Sequence, residues 1–245
     1  MTDTLLLLHG FPVDGSMWDL QVQALSGTIQ VLAPSLPGFG TQPGAGNVMT
    51  MEGAARRCLE ALDTAEAGRV VVCGLSMGGY AAFELWRRAP ERFAGLVLSN
   101  TRAGADDEAG RERRYALAER LEAEGNGFLV DTPGPLLSEG ADEELWQHVR
   151  DIIAAQPAEA LAAAARGMAE RPDSTGDLAG ISVPTLVISS TADELIPPAA
   201  TTPLAEQIPN AQLEMIEGVG HLSNLEAPGE FTLLLERHLT LCGML

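Results

Sequence analysis

A serine in the segment Gly74-Leu75-Ser76-Met77-Gly78 carries the strongest chemical signal in this chain. The segment has the spacing G-x-S-x-G, in which small neighbours permit a sharp turn that exposes the serine hydroxyl. An apolar run, Arg69–Cys73, precedes it and predicts a buried strand, and a helical pattern over Gly79–Arg88 follows it. The turn would place Ser76 at the positive end of that helix, so we predict that Ser76 is a nucleophile.

A serine hydroxyl is a weak nucleophile and needs a general base. The chain has four histidines, His9, His148, His221 and His238. His221 follows the last predicted strand, so it should reach the same edge of the sheet as Ser76, and we predict that it is the base. We expect His148 and His238 to lie on helix surfaces, and His9 to support the loop after the first strand.

The base needs an acceptor on its other ring nitrogen, which fixes its tautomer and orientation. Asp193 follows the predicted strand Thr185–Ser190 and should lie at the same edge, so we predict that it fills this role; Glu194 is the competing candidate. The order Ser76, Asp193, His221 along the chain is the order expected for an α/β-hydrolase.

Acyl transfer through a serine also requires two backbone donors for the oxyanion. One is the amide of Met77, the residue after the nucleophile. The second should come from the loop His9-Gly10-Phe11-Pro12 after the first strand. Gly10 permits a tight turn, and Pro12 has no amide hydrogen, so we predict that the second donor is the amide of Phe11.

Short apolar runs that alternate with helical patterns must position these residues. They predict the α/β class, with a mainly parallel sheet of about six strands flanked by helices. The predicted strands are Thr4–His9, Ile29–Ala33, Arg69–Cys73, Gly95–Ser99, Thr185–Ser190 and Gln212–Ile216. The predicted helices outside the central region are Met51–Ala65, Gly79–Arg88, Pro203–Gln207 and Pro228–Leu241.

The segment 102–182 interrupts this alternation, because it has no convincing strand. Its patterns predict three or four helices, including Arg111–Glu124, Asp142–Ala155 and Ala158–Glu170. A block of that length is too long for a loop. We therefore expect a helical cap at 102–182 over the strand ends, inserted into a core formed by 1–101 and 183–245.

Five segments resemble those of the α/β-hydrolase superfamily and occur in its order. The resemblance implies the α/β-hydrolase fold with a helical cap, and the run from Gly74 to Thr101 is most similar to the 3-oxoadipate enol-lactonase and carboxylesterase-like branch. Epoxide hydrolases and haloalkane dehalogenases of this fold carry Asp at the nucleophile position, so Ser76 argues against both. The five segments are His9–Pro12, Leu36–Gly40, Gly74–Gly79, Asp193–Pro198 and Gly220-His221.

Composition excludes several other functions. The 245 residues carry a formal net charge of −19, which disfavours nucleic acid and anionic membranes and weakly disfavours polyanionic substrates. All basic residues are arginine, so a Walker-A lysine and a pyridoxal phosphate Schiff base are excluded. The sequence shows no secretory signal or membrane span, and three widely separated cysteines fit a reducing compartment, so we expect a cytoplasmic protein.

The hypothesis from sequence is a serine hydrolase that cleaves a carboxylic ester or lactone through an acyl-enzyme, with no cofactor and no metal. We expect a small-molecule substrate, with Trp18 and Arg102 as candidate pocket residues; the oligomeric state is open. The alternatives are enol-lactone hydrolysis, carbon–carbon bond hydrolysis or cofactor-free perhydrolysis on the same triad, and a non-catalytic binding protein of the same fold.

Overall fold

A six-stranded parallel sheet forms the centre of the computed structural model, which describes residues 2–245. The strand order is β2-β1-β3-β4-β5-β6, and every neighbouring pair is parallel. The predicted α/β class and the number of strands are confirmed. The strands are β1 Thr2–Leu8, β2 Gln30–Leu32, β3 Ala67–Leu75, β4 Phe93–Ser99, β5 Thr185–Ser190 and β6 Ala211–Ile216.

Helices cover both faces of the sheet, which explains why its central strands are almost continuously apolar. All four side chains of Leu5–Leu8 in β1 are 0% exposed. Leu6 and Leu8 belong to one core cluster with helices α2 (Met51–Thr64) and α3 (Met77–Arg88). Leu5 and Leu7 belong to the opposite cluster, with α1 (Asp19–Leu25) and α11 (Pro228–Leu241).

All regular secondary structure between β4 and β5 is helical, and the residues described there contain no strand. Helices α4 and α7 pack against each other, and α7 is lined by the small buried residues Ala162–Ala165. The division into a core and a cap at 102 and 182 stays a prediction. The four helices of this segment are α4 Glu108–Glu124, α5 Gly127–Asp131, α6 Glu143–Ala154 and α7 Ala158–Ala169.

Three short helices complete the regular structure between β5 and the C-terminal helix. They are α8 Pro198–Thr201, α9 Pro203–Gln207 and α10 Ser223–Glu226. Short 3₁₀ helices lie at Gly15–Trp18, Pro90–Arg92 and Thr175–Gly180. Within residues 2–245, no helix combines the length and the apolar character needed to cross a bilayer.

The expectation of a surface position is wrong for His238. Its side chain is 3% exposed, because it lies on the inward face of α11 with Leu234, Leu235 and Leu239. Helical spacing places these four residues on one side of the helix, so the face that buries the leucines also buries the histidine. Burial lowers the pKa of His238 from 6.5 to about 4. His148 is exposed, as expected.

Strand register brings the ends of four strands to one edge of the sheet. Leu8 pairs with Gly74, Leu75 pairs with Ser99, and Ser99 pairs with Ile188. The residues that follow these strands therefore meet at the carboxyl edge, where parallel α/β sheets place their ligand sites.

Candidate active site

Ser76 lies in the sharp turn between β3 and α3, with φ 55° and ψ −115°. A positive φ is rare for a residue with a side chain and marks local strain. The turn is possible because the residues two positions before and after Ser76, Gly74 and Gly78, have no side chain. A Cβ added at Gly74 would lie 2.4 Å from the Gly78 oxygen, and one added at Gly78 would lie 2.1 Å from the Leu8 oxygen.

His221 and Asp193 form a buried hydrogen-bonded pair. The His221 Nδ1 atom lies 2.8 Å from Asp193 Oδ2, and the two side chains are 2% and 0% exposed. The other carboxylate oxygen, Oδ1, accepts hydrogen bonds from the amides of Leu195 and Ile196, each at 2.9 Å. Nδ1 therefore donates to Asp193, and Nε2 of His221 has no protein partner in the part of the chain described. Glu194, the competing candidate, is exposed.

Asn100 is a functional candidate that sequence reasoning missed. It follows β4, has φ 46° and is 0% exposed. Its Nδ2 donates to Asp193 Oδ2 at 2.9 Å and to Ser190 Oγ at 3.0 Å, while its Oδ1 accepts from Ser223 Oγ at 2.8 Å. The signal was its position directly after a strand, at the carboxyl edge of the sheet.

A cavity of about 430 Å³ brings the predicted residues together, since both Ser76 and His221 line it. Phe11, one of the predicted oxyanion donors, also lines the cavity. The helical segment between β4 and β5 supplies much of the remaining wall, including Leu117, Leu129 and Met168. The volume is in the range typical of pockets for small molecules.

The two predicted oxyanion donors have no hydrogen-bond partner among the residues described. Neither the Phe11 amide nor the Met77 amide donates a hydrogen bond to any residue described. Met77 is the first residue of α3, whose first-turn amides have no partner within the helix. The loop carrying Phe11 runs close to the serine, because a Cβ added at Gly10 would lie 3.4 Å from Ser76 Cβ.

His9 is buried and bridges two loops, which fits the supporting role expected for it. Its Nδ1 donates to the Gly10 oxygen at 2.9 Å, and its Nε2 accepts from the Leu36 amide at 3.0 Å. Burial lowers the pKa of His9 from 6.5 to about 4, so the ring is neutral at pH 7. Both ring nitrogens are used in holding the loop that carries Phe11.

The structure places the two candidate pocket residues differently. Trp18 is 0% exposed and packs against Phe231, with ring centroids 5.7 Å apart. The expectation of a pocket role is wrong for Trp18, because the 3₁₀ helix that carries it points the indole into the core beside α11. Arg102 does line the cavity, and it forms an ion pair with Asp106.

Residues 2–245 contain no cluster of three or more His, Cys, Asp or Glu side chains placed to hold a metal ion. The polar groups at the carboxyl edge are instead the Ser76 hydroxyl, the His221 imidazole, the Asp193 carboxylate and backbone amides without a hydrogen-bond partner. In a parallel α/β sheet with a strained serine after its third strand, this set matches the arrangement expected of an α/β-hydrolase.

Comparison with known proteins agrees with this class. The model of the alpha/beta hydrolase family matches residues 5–232, and the chain belongs to that family. It is 32% identical over 222 residues to 3-oxoadipate enol-lactonase 1 of Acinetobacter baylyi, covering 89% of this chain and 81% of that protein. It is 28% identical to the pimeloyl-[acyl-carrier protein] methyl ester esterase of Aeromonas hydrophila, covering 95% and 93% of the two chains.

Solved structures show the same fold. A thermophilic esterase from Thermogutta terrifontis, with malate bound, superposes with a TM-score of 0.93 at 39% identity, covering 98% of this chain and 90% of that one. The enol-lactonase from Burkholderia xenovorans LB400 superposes with a TM-score of 0.87 at 30% identity, covering 98% and 92%. The resemblance predicted from sequence is confirmed, and the chain is a hydrolase of this family.

Proposed function

We propose that the protein hydrolyses a carboxylic ester or lactone of a small acyl substrate through a covalent acyl-enzyme. The observation that carries the proposal is the shared cavity: Ser76 in its strained turn and His221, which is hydrogen-bonded to the buried Asp193, line one space. A non-catalytic binding protein has no need of a base held by a buried carboxylate. The esterases and enol-lactonases among its relatives support the same reaction class.

In the first half of the reaction, Ser76 Oγ attacks the carbonyl carbon while His221 Nε2 accepts the hydroxyl proton. Asp193 holds the tautomer with the proton on Nδ1 and stabilises the imidazolium that forms. The amides of Phe11 and Met77 donate to the oxyanion. His221 then gives its proton to the alkoxide oxygen, and the bond from carbon to that oxygen breaks, which leaves an ester on Ser76.

In the second half, a water molecule attacks the acyl carbon and His221 Nε2 accepts its proton. Collapse of the second tetrahedral intermediate breaks the bond to Ser76 Oγ, and His221 returns the proton to the serine. In an ester the alcohol leaves after the first half. In a lactone it stays attached to the acyl group and leaves with the acid.

The direct test compares the wild-type protein with Ser76→Ala on p-nitrophenyl acetate and p-nitrophenyl butyrate. We expect kcat to fall by about 10⁴-fold or more, because the variant has no nucleophile. Ser26→Ala is the matched control, since Ser26 is an exposed serine whose hydroxyl bonds only to the Val22 oxygen. It should match the wild type.

A phosphonate ester tests the nucleophile independently of the choice of substrate. We expect a single covalent adduct on the peptide that contains Ser76, found by mass spectrometry, and none in Ser76→Ala. A folded wild-type protein that neither turns over the two esters nor forms the adduct would contradict the proposed function.

A further inference from the structure

One region of the cavity wall carries an unusual concentration of positive charge. Arg102, Arg113 and Arg114 all line the cavity, and Asp106 is the only acidic lining residue in the part of the chain described. The whole chain has a formal net charge of −19. The charge of the cavity wall is therefore opposite to that of the molecule.

Asp106 cannot neutralise all of these lining arginines, because a fourth arginine, Arg171, shares its single negative charge. Arg171 bridges both carboxylate oxygens, with Nη1 2.9 Å from Oδ2 and Nη2 3.1 Å from Oδ1. Both side chains are 2% exposed. Burial opposes ionisation of Asp106, but hydrogen bonds and charges from Arg171 and Arg114 outweigh it and hold its pKa well below the ordinary range. One buried negative charge thus pairs with three arginines, Arg102, Arg114 and Arg171.

Several guanidinium donors are left without an acceptor. Arg114 uses only its Nε, which lies 2.9 Å from Asp106 Oδ2, so both terminal nitrogens are unpaired in the described structure. Arg102 uses one terminal nitrogen on Asp106, and its Nε is buried with no hydrogen-bond partner in residues 2–245. Arg113 is exposed, lines the cavity and makes no ion pair or hydrogen bond with any residue described.

A structural explanation covers only part of this arrangement. Asp106 ties together the chain after β4, helix α4 and the chain after α7, through Arg102, Arg114 and Arg171. That role accounts for the contacts of Asp106, but it leaves the terminal nitrogens of Arg114 unused and does not involve Arg113. Guanidinium groups that line a cavity with unused donors are suited to a carboxylate, which they bind with charge-assisted hydrogen bonds.

We propose that Arg102, Arg113 and Arg114 bind a carboxylate of the substrate while its ester or lactone carbonyl lies at Ser76. This rests on the proposed function and names its substrate class: half-esters of dicarboxylic acids, or lactones that bear a carboxylate. The same cavity holds both groups, so a small bifunctional acid can reach the arginines and the nucleophile together.

The kinetic test uses pairs of methyl esters matched in chain length, one with a terminal carboxylate and one with a terminal methyl group. Monomethyl adipate against methyl hexanoate is one such pair, with methanol release as the readout. We expect wild-type kcat/KM to be about tenfold or more higher for the anionic ester, since hydrogen bonds to charged groups are the stronger ones. Higher salt should reduce this preference.

Variants then assign the preference to individual arginines. Arg113→Gln and Arg114→Gln should each reduce the ratio of anionic to neutral kcat/KM by about fivefold or more, mainly through KM. Arg114→Lys should retain more of the preference than Arg114→Gln, because it keeps the charge. Arg111→Gln is the matched control, since Arg111 is an exposed arginine of the same helix that does not line the cavity.

Binding to Ser76→Ala by calorimetry tests the subsite without catalysis. We expect glutarate, adipate or pimelate to bind more tightly than hexanoate, and Arg113→Gln to weaken this binding. Tighter binding of inorganic phosphate than of any dicarboxylate would overturn the assignment to a carboxylate.

Two results separate this proposal from the function on which it rests. The carboxylate subsite alone would be refuted if the wild-type protein is active, has equal kcat/KM for both esters of a pair, and Arg113→Gln changes kcat/KM equally for both. The proposed function alone would be refuted if the wild-type protein hydrolyses no ester or lactone but still binds dicarboxylates, a result that would support the carboxylate subsite.

Discussion

The carboxylate of Asp193 is surrounded by four hydrogen-bond donors. Two are the amides of Leu195 and Ile196, one is Nδ1 of His221 and one is Nδ2 of Asn100. A buried carboxylate is costly unless its lone pairs are satisfied, and here each oxygen has two donors. The side chain of Asp193 therefore has one orientation, which in turn sets that of the imidazole.

Asn100 is expected to act as a positioning residue for this pair. We predict that Asn100→Ala lowers kcat by about tenfold with little change in KM, because Asp193 loses a donor and can rotate. It should also lower the free energy of unfolding by about 1–3 kcal/mol, since buried hydroxyl partners lose an acceptor. Steady-state kinetics, the pH profile of kcat and urea unfolding are the measurements.

Asn224→Ala is the matched control for Asn100. Asn224 is also 0% exposed, and its Nδ2 donates to the Met17 oxygen at 2.7 Å, but it does not contact Asp193. We expect it to lose stability while kcat and its pH profile stay close to wild type. Equal losses of kcat in both variants would show that Asn100 acts only through stability.

At the scale of the elements, the loop carrying His221 is held by the helical segment and by α10. Glu226 Oε2 accepts hydrogen bonds from the amides of Gly220 and Ser138, each at 3.0 Å, and its Oε1 accepts from the Ser138 hydroxyl. The Leu222 amide donates to the Leu136 oxygen at 2.9 Å. The residues on both sides of His221 are thus tied to the segment between β4 and β5.

We predict that Glu226→Ala lowers kcat by about tenfold, because the loop that orients His221 loses its shared acceptor. The free energy of unfolding should fall by about 1–3 kcal/mol, the usual cost of leaving buried donors unpaired. Glu230→Ala, at an exposed glutamate of the neighbouring helix, is the control and should change neither quantity. An unchanged kcat in Glu226→Ala would show that the loop is held by its backbone contacts alone.

At the scale of the whole molecule, two buried neutral histidines link stability to pH. The pKa values of His9 and His238 fall from 6.5 to about 4, chiefly because burial disfavours the charged ring. In the unfolded chain both rings take up a proton near pH 6.5. Their contribution to stability is therefore complete above pH 6.5 and is lost as the pH falls from 6.5 towards 4.

We predict that the free energy of unfolding falls by about 2 kcal/mol for each of these histidines between pH 7.5 and pH 5. His238→Leu should remove the part of this pH dependence that His238 contributes, so the free energy of unfolding of the variant should fall less over this range than that of the wild type. His148→Leu, at an exposed histidine, should follow the wild type. Urea unfolding at both pH values measures this, and parallel pH dependences in all three proteins would contradict it.

Much of the fold could be predicted because local patterns and the tertiary structure agree. Short runs flanked by turn residues located all six strands, and the signal was clearest for the inner strands β1, β3, β4 and β5, because strands buried on both faces must be largely apolar. Strand β5 and helices α9 and α11 begin and end at the predicted residues. Small neighbours around Ser76 indicated its turn, because close backbone approach there excludes side chains.

Other features depend on contacts between residues far apart in the chain, which no local pattern encodes. Burial of Trp18 and His238 was decided by the packing of α11 against the rest of the core. Asn100 reaches Asp193 only because β4 and β5 are adjacent in the sheet.

What the sequence alone determined was the family, that of the α/β-hydrolases, and it predicted Ser76, Asp193 and His221 as the residues that carry the chemistry. The tertiary structure decided which side chains surround them, and above all that Arg113 and Arg114 of α4 line the same cavity as Ser76. The physical reason is that residue types and spacing specify local backbone geometry, whereas a cavity forms where separate elements pack together, so its shape and charge depend on every element that contributes to it.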